Sequence, residues 1–263
     1  MEKEMKLAVL IDAENIASKY IEVILSEANT LGNIIYKRIY GNWTTQQMSS
    51  WKEAILDNSI QPIQQYSNTN GKNSSDSTLI IEAMDLLYLG RLDGFCIVSS
   101  DSDFTRLATR LRESEMFVLG MGEQKTPRSF ISACNKFSYL DILYSASSSR
   151  KLEEQQAVDS GEILIESRGK TVTKQQEQKA PEINPGSNIE TIKKSLKELT
   201  EENSDDDGWI FSGKLGGLLS KRFPDFDVRN FREKKFVPFL VSLSMFETKK
   251  GAEDSKLIYF KLK

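Results

Sequence analysis

The chain has 263 residues, with 35 Lys+Arg against 38 Asp+Glu, a formal net charge of -3, 39% hydrophobic residues, two cysteines and no histidine. That length suits one large or two modest domains with a real core. The missing histidine excludes Ser-His-Asp and Cys-His nucleophile pairs, imidazole acid/base chemistry and every zinc site with a His ligand. Cys96 and Cys134 are too far apart for a cysteine metal cluster, and their apolar neighbours mark them as reduced core residues. The opening Met-Glu-Lys-Glu-Met-Lys offers no apolar stretch for a signal peptide or membrane span, so the cytoplasm is expected. Chemistry is left to carboxylates, hydroxyls, amines or a bound metal.

From residue 1 to 146, apolar runs alternate with helix-period stretches, which predicts α/β architecture with a parallel sheet covered on both faces. Strands are expected at Leu7–Asp12, Asn33–Tyr40, Ile60–Tyr66, Gly94–Ser99, Met116–Met121 and Tyr139–Leu143. Helices are expected at Ile16–Ala28, Thr45–Asn58, Ser77–Tyr88 and Phe104–Arg112. Over 147–188 the periodicity fades into Ser-, Gln- and Lys-rich sequence, the composition of a flexible linker. The island Ile163-Leu164-Ile165 inside it reads either as a short docking strand or as unpaired. Structure resumes over 189–263, where Ile189, Ile192, Leu196 and Leu199 share one helix face and Leu215, Leu218 and Leu219 another. A third helix near Phe236–Ser242 and two alternating runs, Met245–Thr248 and Leu257–Leu262, complete a small winged-helix-like α+β module.

Charge divides along the same boundaries. Residues 1–146 hold 14 Lys+Arg and 18 Asp+Glu, 147–188 hold 6 and 7, and 189–263 hold 15 and 13. Gly208–Lys263 alone carries 12 against 6, a basic segment suited to phosphate.

Candidate chemistry lies in four aspartates. Asp12 ends the apolar run Val9-Leu10-Ile11, and Asp101 and Asp103 follow Phe95-Cys96-Ile97-Val98 and open a helix. Asp76 stands near another helix start. Each alone reads equally as a helix cap. If they converge at one sheet end, their charges repel, and an all-oxygen set without His or Cys points to Mg²⁺ or Mn²⁺. Arg106 and Arg110 fall near the face of Asp103, while Phe104, Leu107 and Leu111 turn toward the sheet. Lys72, Lys125 and Arg128 stand in or beside loops at the same edge, either phosphate contacts or solvated surface charge. Ser99 and Ser100 offer hydroxyls there.

These blocks, Val9-Leu10-Ile11-Asp12-Ala13-Glu14-Asn15, the Asp76 helix, Val98-Ser99-Ser100-Asp101-Ser102-Asp103-Phe104 and Gly120-Met121-Gly122-Glu123-Gln124-Lys125-Thr126-Pro127, together resemble the NYN domain, a branch of the PIN-like nucleases. The resemblance spans about the first 145 residues and keeps the block order. It implies a Rossmann-like α/β/α sandwich and a divalent-metal-dependent ribonuclease. Asp12, Asp76, Asp101 and Asp103 would then be catalytic residues and metal ligands, with Asn15 as a supporting polar group. Asp12, Asp101 and Asp76 are the preferred direct ligands, with Asp103 acting through water. The implied reaction is in-line attack of an activated water on an RNA phosphodiester. One departure is Asn135, where relatives often carry Asp after the cysteine, a change expected to weaken a peripheral ligand.

Gly213-Lys214-Leu215-Gly216-Gly217 through Phe223-Pro224-Asp225-Phe226 to Asn230-Phe231, with the basic hairpin beyond, resembles a LOTUS domain, also called OST-HTH. Relatives often place Gly after the aromatic at Phe231, where this chain has Arg232. The family binds RNA, often G-rich, and some members bind helicase partners instead. Lys214, Lys221, Arg222, Arg229, Arg232, Lys234, Lys235, Lys249 and Lys250 are the candidate RNA contacts, joined by Lys72, Arg110, Lys125 and Arg128. Phe223, Phe226 and Phe231 read as core, and Trp209 beside Ile210 and Phe211 as buried. A linker of about 40 residues is expected to concentrate bound RNA at the acidic site without fixing its geometry. The alternatives are a non-catalytic RNA-binding or assembly protein that keeps the acidic pocket, and a phosphohydrolase acting on nucleotides. An apolar edge near the last strand of the first module offers a surface for homo-oligomers.

Overall fold

Leu7 to Ile11 are five consecutive apolar side chains with no exposure to solvent, as a strand covered on both faces requires. They lie in β1 (Met5–Asp12) of a computed structural model that describes residues 4–66, 74–148, 188–251 and 257–263. The other strands of the first sheet are β2 (Gly32–Gly41), β3 (Gln61–Gln64), β4 (Gly94–Val98), β5 (Phe117–Gly122) and β6 (Lys136–Tyr139). All pair in parallel in the order β3-β2-β1-β4-β5-β6.

Alternation along the strands feeds two cores. Ala8, Leu10, Phe95 and Ile97 pack with Leu79, Leu107, Leu111 and Phe130 on one face. Leu7, Val9, Ile11, Cys96 and Val98 pack with Tyr20, Ile24, Trp51 and Leu140 on the other. The covering helices are α1 (Ile21–Asn29), α2 (Lys52–Asp57), α3 (Ser74–Tyr88), α4 (Thr105–Glu113), α5 (Arg128–Ala133) and a helical stretch over 140–148, here α6. Both cysteines are buried and free, and burial pushes their thiols up to about 12.

Two segments depart from the sequence reading. The last strand ends at Tyr139, and the residues expected to form it instead open α6, because Leu140 and Leu143 repeat at a helical interval and both are buried. Helix α5 has no signature in the sequence, since six residues carry too little period. Lys72 and the Ile163–Ile165 island lie outside the described residues.

The second module comprises α7 (Ile189–Asn203), β7 (Ile210–Phe211), α8 (Ser212–Arg222), α9 (Phe236–Ser242), β8 (Phe246–Lys250) and β9 (Ile258–Leu262), with an antiparallel sheet of order β7-β9-β8. Ile192, Leu196, Leu215, Leu219, Phe223, Phe239, Leu240 and Phe260 form its core, with Phe226 and Phe231 packed against it.

The modules are in direct contact. The free edge of β6 meets the turn after α8, where Phe137 N donates to Pro224 O at 2.7 Å. Asp225, with no exposed surface, accepts from Arg128 Nη1 at 3.1 Å and from the Tyr139 hydroxyl at 3.0 Å. Arg229 binds Glu27 with both terminal nitrogens, at 2.6 and 2.8 Å, and also holds Asp227. The expectation of modules joined without fixed geometry gives way to this seam, which the sequence disguised because its partners are 202 positions apart.

Candidate functional site

Strand β1 delivers Asp12 and strand β4 delivers Ser99 and Asp101 at neighbouring positions, where the strand order reverses. Open parallel sheets bind ligands at that crevice, outside the carboxyl ends of the strands. Asp101 precedes a 3₁₀ turn, Ser102–Phe104, and caps it by accepting from Asp103 N at 2.9 Å. The same turn therefore presents two carboxylates. Asp76 in the first turn of α3 supplies a third.

One carboxylate oxygen from each of Asp76, Asp101 and Asp103 lies within 4.8 Å of the others. Asp76 is buried, Asp101 half-buried and Asp103 exposed, so the group opens from the protein toward solvent. Burial, followed by the charges of Asp12, Asp101, Asp103 and Glu14, pushes the Asp76 carboxyl up to about 6. That crowding is the condition a divalent cation relieves, and an all-carboxylate donor set suits Mg²⁺ or Mn²⁺.

Asp12 stands beside this trio, its charge the first of those that raise the Asp76 carboxyl, though it is not within the same 4.8 Å grouping. Its oxygens are occupied. Oδ2 accepts from Ser99 Oγ and Asn15 Nδ2, each at 2.7 Å, and Oδ1 from the backbone of Glu14 at 3.1 Å and Asn15 at 3.3 Å. Burial raises its carboxyl above the ordinary range, and these four bonds oppose that rise. Ser99 Oγ also accepts from Asp101 N at 3.1 Å, which links Asp12 to the trio through one hydroxyl. Ser100 Oγ accepts from Glu123 N at 2.9 Å and ties the β5 loop to the same crevice. Gly122 makes this possible, since a Cβ there would fall 2.7 Å from Ser99 O and 2.6 Å from Thr126 Oγ1.

Asn135 lies elsewhere. It precedes β6 at the opposite end of the sheet and its Oδ1 accepts from Val118 N, so its amide costs the acidic crevice no ligand. Carboxylates that sequence reasoning passed over do stand at the crevice end: Glu123 accepts from the Tyr20 hydroxyl at 3.1 Å and pairs with Lys125 at 2.7 Å, and Asp141 accepts from Gln124.

The expected RNA contacts divide by availability. Arg229 is committed to Glu27 and Asp227, and this pairing holds its guanidinium charged. It belongs to the seam rather than to a phosphate surface. Arg128 pairs with Asp225, Arg222 with Glu198 at 2.6 Å, and Lys214 Nζ donates to Asn203 O. Arg110 lies 3.9 Å from Glu113 on the exposed face of α4, beside exposed Arg106. Lys221, Arg232, Lys234, Lys235 and Lys250 are exposed, and Lys249 sits 4.6 Å above the half-buried Trp209 ring.

The comparisons agree with this division of the chain. The family model described as the NYN domain matches residues 6–141, and that of the OST-HTH/LOTUS domain matches residues 187–258. No curated protein matches the chain. A crystal structure of a protein of unknown function from Vibrio parahaemolyticus is similar at 16% identity, covering 52% of this chain and 93% of that one with a TM-score of 0.44.

Proposed function

The chain belongs to the NYN-domain family and carries a C-terminal OST-HTH/LOTUS domain, and from that premise we propose that it is a divalent-metal-dependent endoribonuclease that cuts RNA at its aspartate crevice. Both families point to an RNA-related nuclease. The observation that carries the finer reading is the convergence of Asp76, Asp101 and Asp103 within 4.8 Å at the reversal point of the sheet.

Asp76, Asp101 and Asp103 would hold Mg²⁺ or Mn²⁺, which when bound supplies charge neutralisation at the phosphate and a more acidic water. Asp12 keeps Ser99 and the Asp101 backbone in register and adds negative charge behind the trio. Asp76 takes up a proton at its carboxyl below about pH 6 and must lose it to serve as a ligand. Exposed cations on α4 and on the LOTUS domain hold the RNA backbone by charge, independent of sequence.

The test uses a circular labelled RNA, which only an endonuclease can open. Wild type is expected to linearise it in Mg²⁺ or Mn²⁺ but not in EDTA, and Asp76→Asn and Asp101→Asn to leave it circular. Cleavage that persists in both variants overturns the proposal. Tight binding without cleavage in either metal would assign the chain a non-catalytic role.

A further inference from the structure

Where the modules meet, α4 and α5 face the last turn of α8 across a cavity of about 460 Å³. Its walls carry Arg112 and Arg128 from the first module and Lys221 and Arg222 from the second, with Asn135 between them and no carboxylate among the described residues. Two of the four cations are compensated from behind, Arg128 by the buried Asp225 and Arg222 by Glu198. Among the described residues Arg112 donates to carbonyls, Ser132 O and Ala133 O at 3.4 and 3.3 Å, and to no carboxylate. Lys221 is exposed. Among the described residues, about two of the cavity's positive charges therefore have no carboxylate partner. Basic residues at the ends of α4 and α8 complement their helix dipoles, but that accounts for each helix alone. It does not account for their meeting across a seam, or for Arg128 at the start of a helix.

The cavity lies toward the other end of the sheet from the acidic crevice, beside Asn135. Asp103 stands at the head of α4, Arg106 and Arg110 are exposed along it, and Arg112 closes its last turn. At 1.5 Å per residue this run is ~14 Å long, within reach of one RNA strand. We propose that the seam is a phosphate cradle that grips the RNA backbone about a helix length from the cleavage site, and that it exists only in the docked chain because each module supplies half of it. The inference rests on the ribonuclease reading and adds a second hold on the substrate.

Binding of a labelled single-stranded RNA by the full chain, measured in EDTA over a range of salt, tests it. Arg112→Ala and Lys221→Ala are each expected to weaken binding several-fold and to lower the slope of log affinity against log salt by about 0.7, the loss of one contact to a single strand. Lys221→Arg should restore both. In Mn²⁺, the same variants should raise KM for cleavage while keeping kcat at saturating RNA, which separates the cradle from the acidic crevice. Lys221 is exposed, so its variants carry the test even if Arg112→Ala misfolds. Unchanged affinity and slope in the Lys221 variants, with wild type still binding and cutting RNA, would overturn the cradle and leave the ribonuclease reading intact. A wild type that neither binds nor cuts RNA would overturn both.

Discussion

Asp12 and Asp76 show two ways of placing a carboxylate in a protein interior. Asp12 is ringed by four donors, so its burial is offset by hydrogen bonds. Asp76 faces like charges, and its carboxyl sits at about 6 against an ordinary 3.8. The native state then holds that proton more tightly than the unfolded chain. Stability of the cation-free protein should therefore fall as pH rises from about 4 to about 6 and level off above. Asp76→Asn is expected to abolish cleavage yet stabilise the cation-free protein at pH 7, by on the order of 2 kcal/mol. Thermal midpoints at pH 4.5 and 7 check this, and the gain should shrink at the lower pH. Ser99→Ala leaves the buried Asp12 one donor short and is expected to cost about 1–3 kcal/mol, read by denaturant unfolding.

At the scale of elements, Arg232 keeps a turn that glycine would make without strain. It closes the 3₁₀ turn Val228–Phe231 with φ at +63°, in the left-handed region. Arg232→Gly is expected to raise stability by about 0.5–1 kcal/mol in a denaturant titration. The order of elements was legible because the central strands are buried on both faces and read as unbroken apolar runs. The aspartates were legible for the same reason, since an acid that ends such a run is conspicuous. Misreadings arose where local pattern and tertiary position diverge. The Leu140–Leu143 run is short enough to suit either period, and Asn135 takes its meaning from the end of the sheet where it lies. The hydrogen bond from Ser99 to Asp12 was not legible, because nothing in the neighbourhood of Asp12 announces a partner 87 positions away.

Across the whole molecule, the basic segment Gly208–Lys263 divides its charge between two tasks. Arg229 spends its charge on the seam with Glu27, which is only 6% exposed, while Lys221 and its neighbours remain open to solvent. Removing one partner of a buried pair leaves the other charge unpaired, at a cost of about 3–5 kcal/mol when burial is complete. Arg229 is half-buried, so Arg229→Ala is expected to cost about 2 kcal/mol and to split a single calorimetric unfolding transition into two. One unchanged transition would mean that the seam contributes little. A seam of this kind also covers the β6 edge, which would otherwise stand open to pairing. The most direct measurement of the central claim is the single-turnover rate of RNA cleavage by the full chain as Mn²⁺ is titrated, for wild type beside Asp101→Asn. Wild type should show a saturable rise from no detectable cleavage, and Asp101→Asn a rate at least about 100-fold lower at every Mn²⁺ concentration. Equal rates in the two proteins would contradict the assignment of the aspartate crevice as the site of cleavage.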